Sequence, residues 1–214
     1  MKKISITLVC LTLWTYPISQ DFIGKISYDI DYDLDEHMES QRSMLPTQMT
    51  TFISKNASRI EQETMIGVQT VISNHKNNSS VLLMNLMGQK VSINIPYNED
   101  KTETKEVNIQ YLEDEKMIVG YACKKAIYSS YSSKKEDTIS IIVYYTPEIS
   151  AKYNQQFKEL KGLPLEYSVI TQGMTLNFVA NEIIQQKVAK SLFKTPKDYN
   201  SMSLEDFQKM MGGS

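Results

Sequence analysis

From Ile26 to Asp35 the chain reads Ile-Ser-Tyr-Asp-Ile-Asp-Tyr-Asp-Leu-Asp, with apolar and polar residues in strict turn. Successive side chains of a strand point to opposite faces, so this pattern makes one wet acidic face and one face that must be buried. One such strand is not stable alone; it needs neighbours and a cover. The chain supplies the neighbours as a series: Met49 to Ser54, Ala57 to Thr64, Gln69 to Asn74, Ser80 to Met87 and Lys90 to Ile95. Lys55-Asn56, Ile66-Gly67, His75 to Asn78 and Gly88-Gln89 separate them as turn signals. A spacing of about ten residues between strands is that of an antiparallel meander.

Beyond a polar loop from Pro96 to Lys105, Glu106 to Leu112 reads as a strand or a short helix, and Gly120 to Tyr131 as a strand. Thr138 to Thr146 is apolar on both sides, which places it inside a covered sheet. Leu165 to Thr171 and Met174 to Gln185 form a hairpin about Gln172-Gly173. One helix is expected between them and the preceding strand. Ile149, Tyr153, Phe157 and Leu160 fall on one helical face, and Gly162 and Pro164 follow as stop signals. Ser203, with Asp206 three positions on, caps a short C-terminal helix. The expectation is a mainly β chain of about ten antiparallel strands. A curved sheet or half-barrel of this kind would wrap round the amphipathic Ile149–Leu160 helix.

Composition excludes several classes. With 41% hydrophobic and 22% charged residues the chain is neither a disordered tail nor a disulfide miniprotein. A net charge of −2 argues against a nucleic-acid partner. Met1-Lys2-Lys3 precedes an apolar run from Ile4 to Trp14, and Ser19 follows. That is the order of a secretory signal peptide, and the run is far short of the ~20 residues a spanning helix needs. The reading is therefore a signal peptide over residues 1–19, cut near Ser19/Gln20, and one domain over residues 20–214, periplasmic or secreted. Cys10 could instead mark a lipoprotein signal, but apolar residues continue past it. Loss of Lys2 and Lys3 leaves 21 basic against 25 acidic residues, a net charge of −4.

Catalytic and metal patterns are sparse. Cys123 is then the one cysteine left, so it has no disulfide partner within the chain; a buried strand position suits it better than a reactive thiol. His37 and His75 lie apart in polar stretches, too few and too distant for a zinc site. Asp29, Asp31 and Asp33 imitate the start of a calcium loop. Leu34 stands where glycine would be needed and Ser40 where a bidentate glutamate would be, so the acids read as a solvated strand face. Acidic runs such as Glu113-Asp114-Glu115 read as surface. Met84 and Met87 could interest copper(I), but methionine more often fills cores or lines adaptable pockets. No phosphate-cradling, hydrolase or metalloprotease motif occurs. The expectation is a non-enzymatic protein without cofactor or metal.

Four runs together resemble a known family: Phe22 to Tyr28, Arg59-Ile60-Glu61 after Lys55-Asn56, Val119 to Ala126, and Leu192 to Tyr199 with Met202. They look like a secreted family common in Bacteroidetes, catalogued as a domain of unknown function. That family is similar to the LolA/LolB-type lipoprotein carriers. The resemblance implies an incomplete antiparallel barrel covered by helices and a hydrophobic ligand, such as an acyl chain or lipoprotein, held in its cavity. It transfers no catalytic residue. The alternative is a cell-envelope structural or interaction module with a filled interior, meeting an envelope protein through its acidic face. The candidate pocket residues, chosen as large apolar side chains on expected strands, are Phe52, Met65, Met84, Met87, Ile93, Tyr144 and Phe178.

Overall fold

A computed structural model describes residues 22–65, 67–86, 88–95, 107–132, 137–150, 154–157, 159–171 and 174–210. The expected signal peptide, Cys10, the Pro96–Lys105 loop, Met87 and the Gln172-Gly173 turn lie outside the described residues. The strands are β1 Gly24–Leu34, β2 Gln48–Ile53, β3 Ala57–Thr64, β4 Gly67–Asn74, β5 Ser79–Leu86 and β6 Gln89–Ile95. They continue as β7 Val107–Ile118, β8 Tyr121–Ser132, β9 Asp137–Thr146, β10 Leu163–Thr171, β11 Met174–Gln185 and β12 Asn200–Met202. Among the described residues one α-helix, α1, covers Leu204–Met210. All twelve strands belong to a single open sheet in the order β12-β6-β5-β4-β3-β2-β1-β11-β10-β9-β8-β7. The mainly β reading holds, with twelve strands where about ten were expected.

The alternation that opens the chain decides the middle of the sheet. In β1, Ile26, Tyr28, Ile30 and Tyr32 are buried, while Asp29, Asp31 and Asp33 face water. Those acids have ordinary surface partners: Asp29 accepts from Asn181 Nδ2 at 2.7 Å and Asp33 from Asn177 Nδ2 at 2.9 Å. β1 lies between β2 and β11, so the first strand of the chain joins two meanders. The chain between Ile118 and Tyr121 turns through Val119 and Gly120, both at positive φ, 44° and 83°.

Two expectations need correction. Among the described residues no α-helix runs from Ile149 to Leu160. The described part of that stretch holds a 3-10 turn, Gln155–Phe157. The reason is closure. The Leu163 N–H donates to the Ile149 carbonyl at 2.8 Å, which pinches the two ends together. A straight helix over the same span would separate its ends by roughly 16 Å. The apolar residues still do their expected work: Ile149, Phe157 and Leu160 are all buried in the core. β7 is also longer than expected. It passes through Glu113-Asp114-Glu115, and a register shift between Tyr111 and Glu115 takes up the break in alternation.

The C-terminal segment binds the sheet edge. Arg59 Nη1 donates to the Leu192 carbonyl at 3.0 Å, Lys90 pairs with Asp198 at 2.6 Å, and β12 runs parallel to β6. Ser203 then caps α1 as expected, accepting from the Asp206 N–H at 3.0 Å. Leu204 and Phe207 of α1 pack on Met84, Val91 and Ile93, forming a small core of their own.

Candidate functional site

The inner face of the sheet is filled unevenly, and residue size explains why. On β8, β10 and β11 it carries Tyr128, Tyr167 and Phe178. The pinched loop pushes Phe157 among them. Its ring meets Tyr128 edge-on at 5.0 Å and Tyr167 at 5.1 Å, and Tyr167 stacks on Phe178 at 4.9 Å. On β3, β4 and β5 the same face carries Ser58, Ile60, Val71, Ser73 and Ser80. These side chains are small or short, and among the described residues none from β3, β4 or β5 reaches across the space as the aromatics do on the other side. A cavity of about 430 Å³ remains between the two halves. Ligand sites commonly fall between roughly 300 and 1,000 Å³.

The walls are built in ranks set by register. One rank crosses the strands as Ile26, Thr51, Ile60, Val71, Leu82 and Ile93. The adjacent rank, nearer the β2–β3 and β4–β5 turns, runs Ile53, Ser58, Ser73, Ser80 and Ile95. Tyr28, Met49 and Phe178 close the aromatic side, and Asn154 and Gln156 of the loop reach in from above. None of the described side chains lining the cavity is charged.

Its polar atoms are neutral and anchored. The Tyr28 hydroxyl donates to the Pro164 carbonyl at 3.0 Å, tying β1 to the start of β10. Burial raises the pKa of Tyr28, with the neighbouring Tyr167 and Cys123 adding to the shift. Burial also raises that of Tyr167, whose hydroxyl hydrogen-bonds the Asn154 side chain. Both phenols therefore stay protonated over the physiological range. Ser73 and Ser80 hydroxyls sit 2.8 Å apart across β4 and β5.

The expected pocket residues scatter. Phe178 lines the cavity. Phe52 lies between two cavity-facing neighbours, Thr51 and Ile53, and so points to the opposite face, paired with Lys25 and Arg59. Met65 sits in a turn, 71% exposed. Met84 and Ile93 share the inner face but lie at its edge beneath α1. Tyr144 is on the outer face, where the Lys116 ammonium stands 3.8 Å from its ring centre and pairs with Glu166. Met87 lies outside the described residues. The lining that was missed is made of serines and short aliphatics. Its signal was available as inward-facing serines recurring on three consecutive strands.

Cys123 is fully buried, and burial pushes its thiol up to about 11. Among the described residues no group of three or more His, Cys, Asp or Glu could hold a metal ion. No described helix is long and apolar enough to cross a membrane, which says nothing of a β-barrel.

No family model matches the chain. No curated protein matches it either. Among solved structures it is similar to LprF from Mycobacterium bovis, at 9% identity with a TM-score of 0.36, covering 78% of this chain and 88% of that one.

Proposed function

We propose that this chain is an exported, non-enzymatic binding protein that holds a hydrophobic ligand, such as an acyl chain or the lipid part of a lipoprotein, against the inner face of its half-barrel. The observation that carries the reading is a cavity of about 430 Å³, its described lining uncharged, between the aromatic half and the small-residue half of the sheet. Apolar surface left open in this way is what a transferable hydrophobic ligand would cover. A filled interior, required by the alternative of an envelope interaction module, would not leave that space.

Native mass spectrometry of the protein after exposure to a bacterial lipid extract tests the proposal. The expected result is a one-to-one adduct in the mass range of a lipid. Val71→Phe, placed on a cavity wall, should abolish the adduct while the fold persists by circular dichroism. A protein that emerges without adduct, or a Val71→Phe variant that binds as well as the parent, would overturn it.

A further inference from the structure

The serine rank carries the question of ligand class further, on the premise that the cavity binds a lipid at all. Ser58, Ser73 and Ser80 are direct register partners on β3, β4 and β5. They face the same cavity. Ser58 is buried at 4% exposure. A serine hydroxyl carries one proton and two acceptor lone pairs. The Ser73–Ser80 contact uses one proton and leaves the other, so the rank keeps donors and acceptors facing the cavity. Neighbouring strands lie ~4.8 Å apart, so the backbone positions of the three serines span roughly 10 Å.

Beside this rank, ~7 Å along the strands, runs the apolar rank through Ile60 and Val71. A hydroxyl strip next to an apolar strip is the imprint of an amphiphile with several polar oxygens at one end. Charge decides which amphiphile. Among the described residues no lysine, arginine or histidine lines the cavity to receive a carboxylate or phosphate. A buried anion without such a partner is strongly disfavoured, whereas hydroxyl and ester oxygens can be met in full by serines.

We infer that the cavity selects a neutral, single-chain glycerol ester of a fatty acid, its headgroup on Ser58, Ser73 and Ser80 and its chain along the Ile60–Val71 rank.

The test compares three lipids of one acyl chain length at pH 9: a monoacylglycerol, the free fatty acid and a lysophosphatidylglycerol, each titrated into the purified protein by native mass spectrometry. The monoacylglycerol should bind at least tenfold more tightly than either anion. Ser58→Ala/Ser73→Ala should weaken the monoacylglycerol by roughly tenfold and leave the fatty acid unchanged, since each of the two lost hydrogen bonds is worth about threefold. Ser80→Ala, at a less buried position, is the second variant and should weaken it in the same direction. Equal or tighter binding of an anion, or undiminished monoacylglycerol binding by both variants, would overturn the inference while leaving lipid binding intact. Failure of all three lipids to bind would overturn the hydrophobic-ligand reading along with it.

Discussion

The Tyr128 hydroxyl stands 3.1 Å from the Gln156 carbonyl oxygen and 3.2 Å from Glu159 Oε2, two acceptors for one proton, while its ring receives Phe157. Sheet and loop are thus joined at one aromatic contact. Phe157 is fully buried, so Phe157→Ala should cost about 3–5 kcal/mol, read as a lower urea midpoint. The same variant should loosen Asn154 and Gln156 at the cavity and weaken any bound lipid. Tyr128→Phe keeps the packing and should cost only about 1 kcal/mol.

Alkaline pH should unfold the protein. Burial, helped by Glu159, pushes Tyr128 up to about 12, and burial raises Tyr28 and Tyr167 as well. An unfolded tyrosine titrates near 10. The folded state therefore holds these protons more tightly than the unfolded one. That contribution to stability is complete below pH ~10 and is lost as pH climbs through the folded values. Tyrosinate absorbance at 295 nm should show a late group that ionises together with the loss of the circular dichroism signal.

Val119 occupies the first position of a two-residue hairpin turn at φ 44°, where a β-branched side chain is strained. Val119→Asn should stabilise the protein by roughly 1 kcal/mol. The measurement is the shift in urea midpoint, with an unchanged denaturant slope.

Gly162 sits where the loop closes. A Cβ there would stand 2.1 Å from the Thr146 carbonyl oxygen, which is backbone and cannot swing aside. Gly162→Ala should cost about 3 kcal/mol and lower the thermal midpoint.

The Cys123 thiol, pushed up to about 11 and fully buried, should resist a thiol reagent at pH 8 in the native protein. It should react fully once urea unfolds the chain. Fast native reaction would show that the site opens.

Period-two alternation made the strands legible because it is a local property. Ile26 to Asp35 announces its buried face by itself, whereas Met49 to Ser54, with Phe52 and Ile53 side by side, does not. The Ile149–Leu160 spacing was equally regular, and Ile149, Phe157 and Leu160 are buried as expected, yet the backbone answers to a distant hydrogen bond between Ile149 and Leu163. The pocket was the least legible part. Large residues were sought there, but Phe52 and Tyr144 sit on the outer face. A void arises where the side chains of a sheet face are small, as at Ser58, Ser73 and Ser80. Whether Ser58, Ser73 and Ser80 line up depends on register between strands, which no single strand encodes.

The place of β1 between the two meanders has a consequence for the order in which the molecule comes into being. The meanders β2–β6 and β7–β10 are made of pairings between sequence neighbours, which close quickly. The seam between β1 and β11 pairs Gly24 with Gln185, and it must wait for nearly the whole chain. Ile26 and Tyr28 stand on one side of that seam and Phe178 on the other, all three at the cavity. The cavity is therefore expected to form late, after both meanders, and a chain lacking the β1–β11 seam would lack the walls that Ile26, Tyr28 and Phe178 supply.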